Sequence, residues 1–161
     1  MKTPDLYDAQ AEGLTQVHRM ITAALDEVAA QSRLAAAVTQ ATGAARFVLA
    51  HHHVEDTVLF PGLRELGNGA TAFLDARDRE HRVIHSLAER LLEHAAAPGP
   101  RVTELVSLSG ELRRSLAAHV AEEEAGLSAE NLRQLITVPN FTQLVARLEA
   151  ARAGAAKIAG R

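Results

Sequence analysis

Seven candidate metal donors recur along this chain at one interval: His18 alone, then His51-x-x-x-Glu55, His81-x-x-x-His85 and His119-x-x-x-Glu123. Residues four apart on a helix lie on one face, one turn above each other. Three such pairs and a single histidine, on four separate helical segments, aim nitrogen and oxygen donors into one space. That pattern constrains the fold before anything else does. Sites of this kind are built in the core of a four-helix bundle, from inward side chains on facing helices. Imidazole with carboxylate suits iron and zinc, and suits magnesium poorly.

The rest of the sequence agrees with helices. Ala, Leu, Glu and Arg dominate, and no run alternates with the period of two that a strand needs. Breakers fall between the pairs: Pro4 ahead of the first segment, Gly67-Asn68-Gly69, and Pro98-Gly99-Pro100. The predicted helices run over 10–30, 33–66, 71–96 and 101–125, with a shorter pair at 128–136 and 140–157. Ser32 is the expected N-cap of the second. Gly43 weakens the early part of the second, and Pro139 ends or interrupts the tail. The expected fold is all-α: an antiparallel up-down four-helix bundle with a short helical C-terminal extension. The bundle takes residues 1–127. The extension, 128–161, packs on it and frays at its Ala- and Gly-rich end. At about 1.5 Å per residue, antiparallel helices with these bounds bring the donors of all four to neighbouring levels.

Other classes are disfavoured. The 161 residues make one domain with room for a core. A net charge of −3, no basic patch, one Tyr and four Phe argue against nucleic acid as a partner. With no cysteine there are no disulfides, thiolate ligands or cysteine nucleophiles, which fits a cytoplasmic location. No apolar run approaches the ~20 residues of a membrane span, and no signal peptide is visible.

Four segments carry a family resemblance: Val17-His18-Arg19-Met20-Ile21, His51-His52-His53-Val54-Glu55-Asp56-Thr57-Val58-Leu59-Phe60-Pro61, Glu80-His81-Arg82-Val83-Ile84-His85 and His119-Val120-Ala121-Glu122-Glu123-Glu124. Over residues 10–125 the chain resembles the hemerythrin-like family, the HHE cation-binding domain. The resemblance implies a non-haem di-iron centre, oxo- or hydroxo-bridged. One iron carries three histidines and the other two. Two carboxylates bridge them, and one position stays open for a small ligand. Carried across, the ligands are His18, His51, His81, His85 and His119, with Glu55 and Glu123 as bridges.

Two positions stay open on the residues alone. His52 and Asp56 repeat the His51–Glu55 spacing one residue on. If Val48, Leu49, Leu59, Leu63 and Leu66 mark the core face, His52 lies nearer its centre. The family's His-x-x-x-Glu pattern selects His51 with Glu55. Glu124 competes likewise with Glu123. His53 reads as exposed, and His94 as lying near a helix C-terminus, where the dipole favours its charge. Val48, Leu59, Val83, Leu87 and Leu116 read as core. Tyr7 either packs on the surface or folds over the open end of the site as a donor to a bound oxygen species.

The function implied is capture or turnover of a small oxidant (O2, H2O2 or NO), as in an oxidative or nitrosative stress response. The alternative is an oxygen, redox or iron sensor, or an iron-buffering protein, without turnover. A peroxide- or nitric-oxide-consuming enzyme would draw its redox chemistry from the metals, because no separate acid–base set is present. The chain is expected as a monomer or homodimer. Ala125-Gly126-Leu127-Ser128 stands where the family usually has Leu-Pro. A shifted helix end there would change access to the site, or serve dimerisation through Phe141, Leu144, Val145 and Leu148.

Overall fold

The computed structural model describes residues 5–159, with side-chain surroundings through Gly154. Pro4 and the last of the expected frayed end lie outside the described residues. Those residues are almost entirely helical: α1 (Leu6–Ala29), α2 (Leu34–Val54), a π-helical turn (Glu55–Leu59), α3 (Phe60–Leu66), α4 (Thr71–Ala96), α5 (Val102–Gly126), α6 (Ala129–Leu135) and α7 (Val138–Ala159). The π turn joins α2 and α3 into one continuous rod. No strand occurs among the described residues, and none of their helices is long and apolar enough to cross a membrane.

The first helix starts four residues earlier than its apolar periodicity predicts. Asp5 accepts from the backbone N–H of Tyr7 and Asp8, and the Asp8 side chain answers back to the Asp5 N–H. This capping box satisfies N–H groups that a helix start leaves unpaired. Arg133 of α6 clamps both carboxylates at 2.8 Å. Ser32 does not cap α2; Arg33 stands at that position and no side chain caps the helix. Gly43 sits in unbroken helix with open space beside it. Pro139 does not end the tail but is the second residue of α7, where its missing N–H would have had no helical partner.

α1, the α2–α3 rod, α4 and α5 form the bundle. Its pairings can be followed residue by residue. Along α1 and α5, His18 meets Glu124, Leu25 O accepts from Ser109 Oγ, and Asp26 meets Arg113. Along α4 and α5, Arg77 meets Glu122, Glu80 meets His119, and Arg90 meets Glu111. Arg64 of α3 reaches Asp75 and Asp78 of α4.

The apolar interior falls into two clusters. One is built from Ile21, Leu25, Val48, Ile84, Leu91 and Leu112 with their neighbours. The other gathers Leu14, Phe60, Leu63 and Leu74 against Leu132, Phe141, Leu144 and Leu148 of the C-terminal helices. Every helix of the bundle passes from one cluster to the other, and the polar residues of interest lie at the crossing. α6 and α7 therefore spend Leu132, Phe141, Leu144 and Leu148 within the chain. Phe141, Leu144 and Leu148 are buried, so they do not form the exposed dimerisation surface expected from the sequence. Gly62 marks how closely α7 approaches: a Cβ there would collide with Leu144 Cδ1.

Tyr7 lies in the first turn of α1 and not ahead of it. It is buried, its ring stacks on Phe141 at 4.6 Å, and its hydroxyl donates to Ile136 O at 2.8 Å. That hydroxyl is spent on the C-terminal extension and does not serve the site. Tyr7→Phe is expected to cost about 1 kcal/mol of stability and to leave metal content and absorption spectrum unchanged. Thermal melts and metal analysis of the variant check both parts. A change in the spectrum would restore a role at the site.

Candidate metal centre

α2 carries its core stripe on Ala37, Ala41, Ala44, Ala45, Val48 and His52, and the π turn follows at once. A π turn inserts one extra residue into helical register. Glu55, its N–H bonded to His51 O, still continues the inward stripe of α2, and the turn then hands Leu59, Phe60 and Leu63 to the second apolar cluster. His51, His52 and Glu55 thus all face the same interior. His18 continues the buried face of α1 between Leu14 and Ile21, His81 that of α4 between Leu74 and Ile84, and His119 with Glu123 that of α5.

The carboxylates occupy the middle. Glu123, fully buried, places one oxygen 3.2 Å from His18 Nε2 and 3.4 Å from His119 Nε2. Glu55 places one oxygen 3.2 Å from His51 Nε2 and the other 3.7 Å from His81 Nε2. Each acid therefore lies between imidazoles from two helices. His81 Nε2 and His119 Nε2 face each other at 3.2 Å.

The far nitrogens are held from behind. His18 Nδ1 meets Glu124 at 2.9 Å, His81 Nδ1 meets Asp56 at 2.7 Å, and His119 Nδ1 meets Glu80 at 2.9 Å. An imidazole that gives its Nδ1–H to a carboxylate keeps a lone pair on Nε2, which is how metal-ligating histidines are oriented. Buried Arg77 in turn bonds Glu80 and Glu122, so Glu80 is itself pinned.

A second observation concerns what these inward atoms lack. His18 Nε2, His51 Nε2, both nitrogens of His52, His85 Nε2 and all four oxygens of Glu55 and Glu123 are buried with no hydrogen-bond partner. Several lie at salt-bridge distance without hydrogen-bond alignment. Buried polar atoms are nearly always paired, and a cation among these donors pairs them together. Three overlapping groups bring one donor per residue within 4.8 Å: His18, His51, Glu55 and Glu123; His81, His119 and Glu123; His52, His81 and His85. The donor set fits a metal.

Burial and neighbouring charge move these groups in both directions. Burial, then the neighbouring His18, pushes His51 down to about 3. Burial also holds His52 well below its ordinary value and lowers His85. All three imidazoles are thus neutral, the state in which they ligate. Burial, with the charges of Glu123 and Asp56, raises Glu55. Burial works upward on Glu123 too, but the nearby imidazoles of His119 and His18 outweigh it and hold the group low. His119 is lowered by burial and raised more by Glu123 and Glu80, for a net rise.

All seven donors expected from the sequence converge here, with His85 at the rim and 28% exposed. Asp56 and Glu124, weighed as competing ligands, sit behind His81 and His18 instead. His52 was weighed as a substitute for His51, and both are inside. Glu80 and Arg77 were not singled out from the sequence. The available signal was an acid next in sequence to a donor, as at Asp56, Glu80 and Glu124. Val83, expected in the core, is 56% exposed, because Ile84 takes the inward position beside it. His53 is exposed and His94 lies in the last turn of α4, both as expected.

A cavity of about 230 Å³ reaches the centre from outside. Its walls are largely apolar, with Leu14, Val17, Phe47 and Leu148; it ends on His51 and Glu55, and Arg152 of α7 also lines it.

The sequence profile of the family described as Hemerythrin HHE cation binding domain matches residues 10–130. Comparison with curated proteins and with solved structures finds no significant match.

Proposed function

The chain belongs to the hemerythrin family of HHE cation-binding domains, and on that premise we propose that it is a non-haem di-iron protein that binds or reacts with a small oxidant: dioxygen, hydrogen peroxide or nitric oxide. The observation that carries this reading is the placing of two buried carboxylates, Glu55 and Glu123, each between imidazoles of two helices. On this reading His18 and His51 hold one ion, His81, His85 and His119 the other, and the two acids are shared. Mixed imidazole and carboxylate donors suit iron.

Bound iron would supply the redox chemistry, and the chain supplies its setting. Glu124, Asp56 and Glu80 fix the imidazole tautomers, and Arg77 fixes Glu80. The apolar clusters on either side exclude bulk water. The cavity beside His51 and Glu55 admits a ligand of a few atoms while its apolar walls disfavour ions. The reading extends to a role in oxidative or nitrosative stress in the cytoplasm, a location that a chain without cysteine fits. The bundle is read as antiparallel and up-down over 1–127, with 128–161 packed on its end. Support for that order comes from contacts that descend α5 while they climb α1 and α4.

The test is to purify the protein from iron-supplemented cells, measure iron per chain and record its absorption in air. About two irons per chain, with near-ultraviolet bands that change on adding peroxide or nitric oxide, is the expected result for a two-ion centre of this donor type. Folded protein that refuses iron on reconstitution would sink the reading. Iron without any turnover of peroxide above the rate of free iron would leave the sensing or buffering role.

A further inference from the structure

The cavity that ends on His51 and Glu55 is apolar with two exceptions. Besides those two donors, its polar lining is Gln10 of α1 and Arg152 of α7. Arg133 and Arg147 of the C-terminal helices are spent on Asp5, Asp8 and Glu65, whereas Arg152 makes no ion pair among the described residues. An exposed arginine needs no partner, so the informative point is its position. Its charge is felt at the deep end of the cavity: burial, Glu123 and Asp56 push the Glu55 carboxyl up, and Arg152 pulls the other way. The family match ends at residue 130, so Arg152 lies outside the part of the chain that the family describes.

We infer that Arg152 is a specificity-determining residue, which makes this cavity a passage and docking place for a small monovalent anion of the size of azide or nitrite. The inference rests on the metal-centre reading and deepens it, because it names the charge of the ligand. Apolar walls turn ions of both signs away, and a single cation among them makes an exception for one sign. A guanidinium is more weakly hydrated than an ammonium and presents its N–H donors in a planar fork, which suits a small anion. The inner end complements it. Two divalent ions carry more charge than Glu55 and Glu123 cancel, so an anion that passes Arg152 meets a positive centre. The volume of about 230 Å³ holds a ligand of a few atoms and little more. A neutral ligand such as nitric oxide gains nothing from the guanidinium.

Azide and nitric oxide are the probes, one charged and one neutral. The full chain, loaded with iron, is compared as wild type, Arg152→Lys, Arg152→Gln and Arg152→Glu. Binding is read from absorption, and iron is counted per chain. Azide is expected to bind about tenfold more weakly in Arg152→Gln, more weakly still in Arg152→Glu, and near the wild-type level in Arg152→Lys. Azide association in the wild type slows with added salt, and that dependence flattens in Arg152→Gln. Nitric oxide binding and iron content stay constant across the series. Iron-loaded wild type that takes no azide, or equal azide affinity in every variant, would overturn the inference and leave the centre intact. Azide and nitric oxide weakened in parallel would overturn it too, since a change of packing treats both alike. A wild-type chain that holds no iron would instead remove the centre itself, and the inference with it.

Discussion

Glu123→Ala is expected to strip both ions from the protein at once, weakening metal binding by about 100-fold or more. Among the described residues no other side chain approaches both halves so closely with one atom. Its oxygen lies 3.2 Å from His18 Nε2 and 3.4 Å from His119 Nε2, and the residue is fully buried. Alanine removes the oxygen that His18 and His119 share. Glu124→Ala provides the contrast. Glu124 only steadies His18 from behind and its side chain is 30% exposed. Its loss is expected to weaken one ion by about tenfold and to spare the other. Metal content per chain and iron titration measure both variants. Two tightly held ions in Glu123→Ala would show that the acid is a structural neighbour of the site and not a ligand.

Removal of the metal is the second large effect. An ion bound only by the folded chain, at about a thousand times its Kd, adds roughly 4 kcal/mol of stability. In a chain of this size each kcal/mol moves Tm by about 2–4 °C. A chelator is therefore expected to lower Tm by about 10 °C or more, and readdition of iron to restore it. The helices should survive at room temperature, because both apolar clusters are built without the donors. Melts followed by circular dichroism, with and without chelator, check this. An unchanged Tm would mean that the unpaired nitrogens and oxygens at the centre are satisfied by something other than a metal.

The periodicity of the chain made the four long helices and their donors legible, since i,i+4 pairs need only a helix to bring them together. What it could not give was the π turn. Leu59, Leu63 and Leu66 lie at or beyond that turn, where register is displaced by one residue, while Val48 lies before it. Projecting a single straight helix through all of them blends two faces. His51 and His52 appeared as rivals because the His-x-x-x-acid spacing occurs twice, one residue apart, although both face inward. The same projection cannot separate Glu55 from Asp56, whose roles differ by which side of His81 they approach. Glu80 and Arg77 were hidden for another reason: their partners, His119 and Glu122, are some forty residues away and on another helix. The early start of α1 rests on Asp5 and Arg133, an acid whose cap is local but whose clamp is not. Phe141, Leu144 and Leu148 form an apolar stripe that reads equally as a dimer surface or an intramolecular face. Only the position of α7 over Gly62 and Tyr7 decides between them.

The two apolar clusters with a polar layer between them bear on how the molecule comes apart. Contacts within each cluster are mutually reinforcing, whereas across the layer an unliganded chain offers desolvated donors that reinforce little. Such a chain has two units of cooperativity, and local opening of one need not drag the other with it. An ion gripped by all four helices couples the units, so that neither opens without breaking bonds that the other shares. Occupancy of the centre is thereby legible in amide protection at both far ends of the bundle, well away from any ligand.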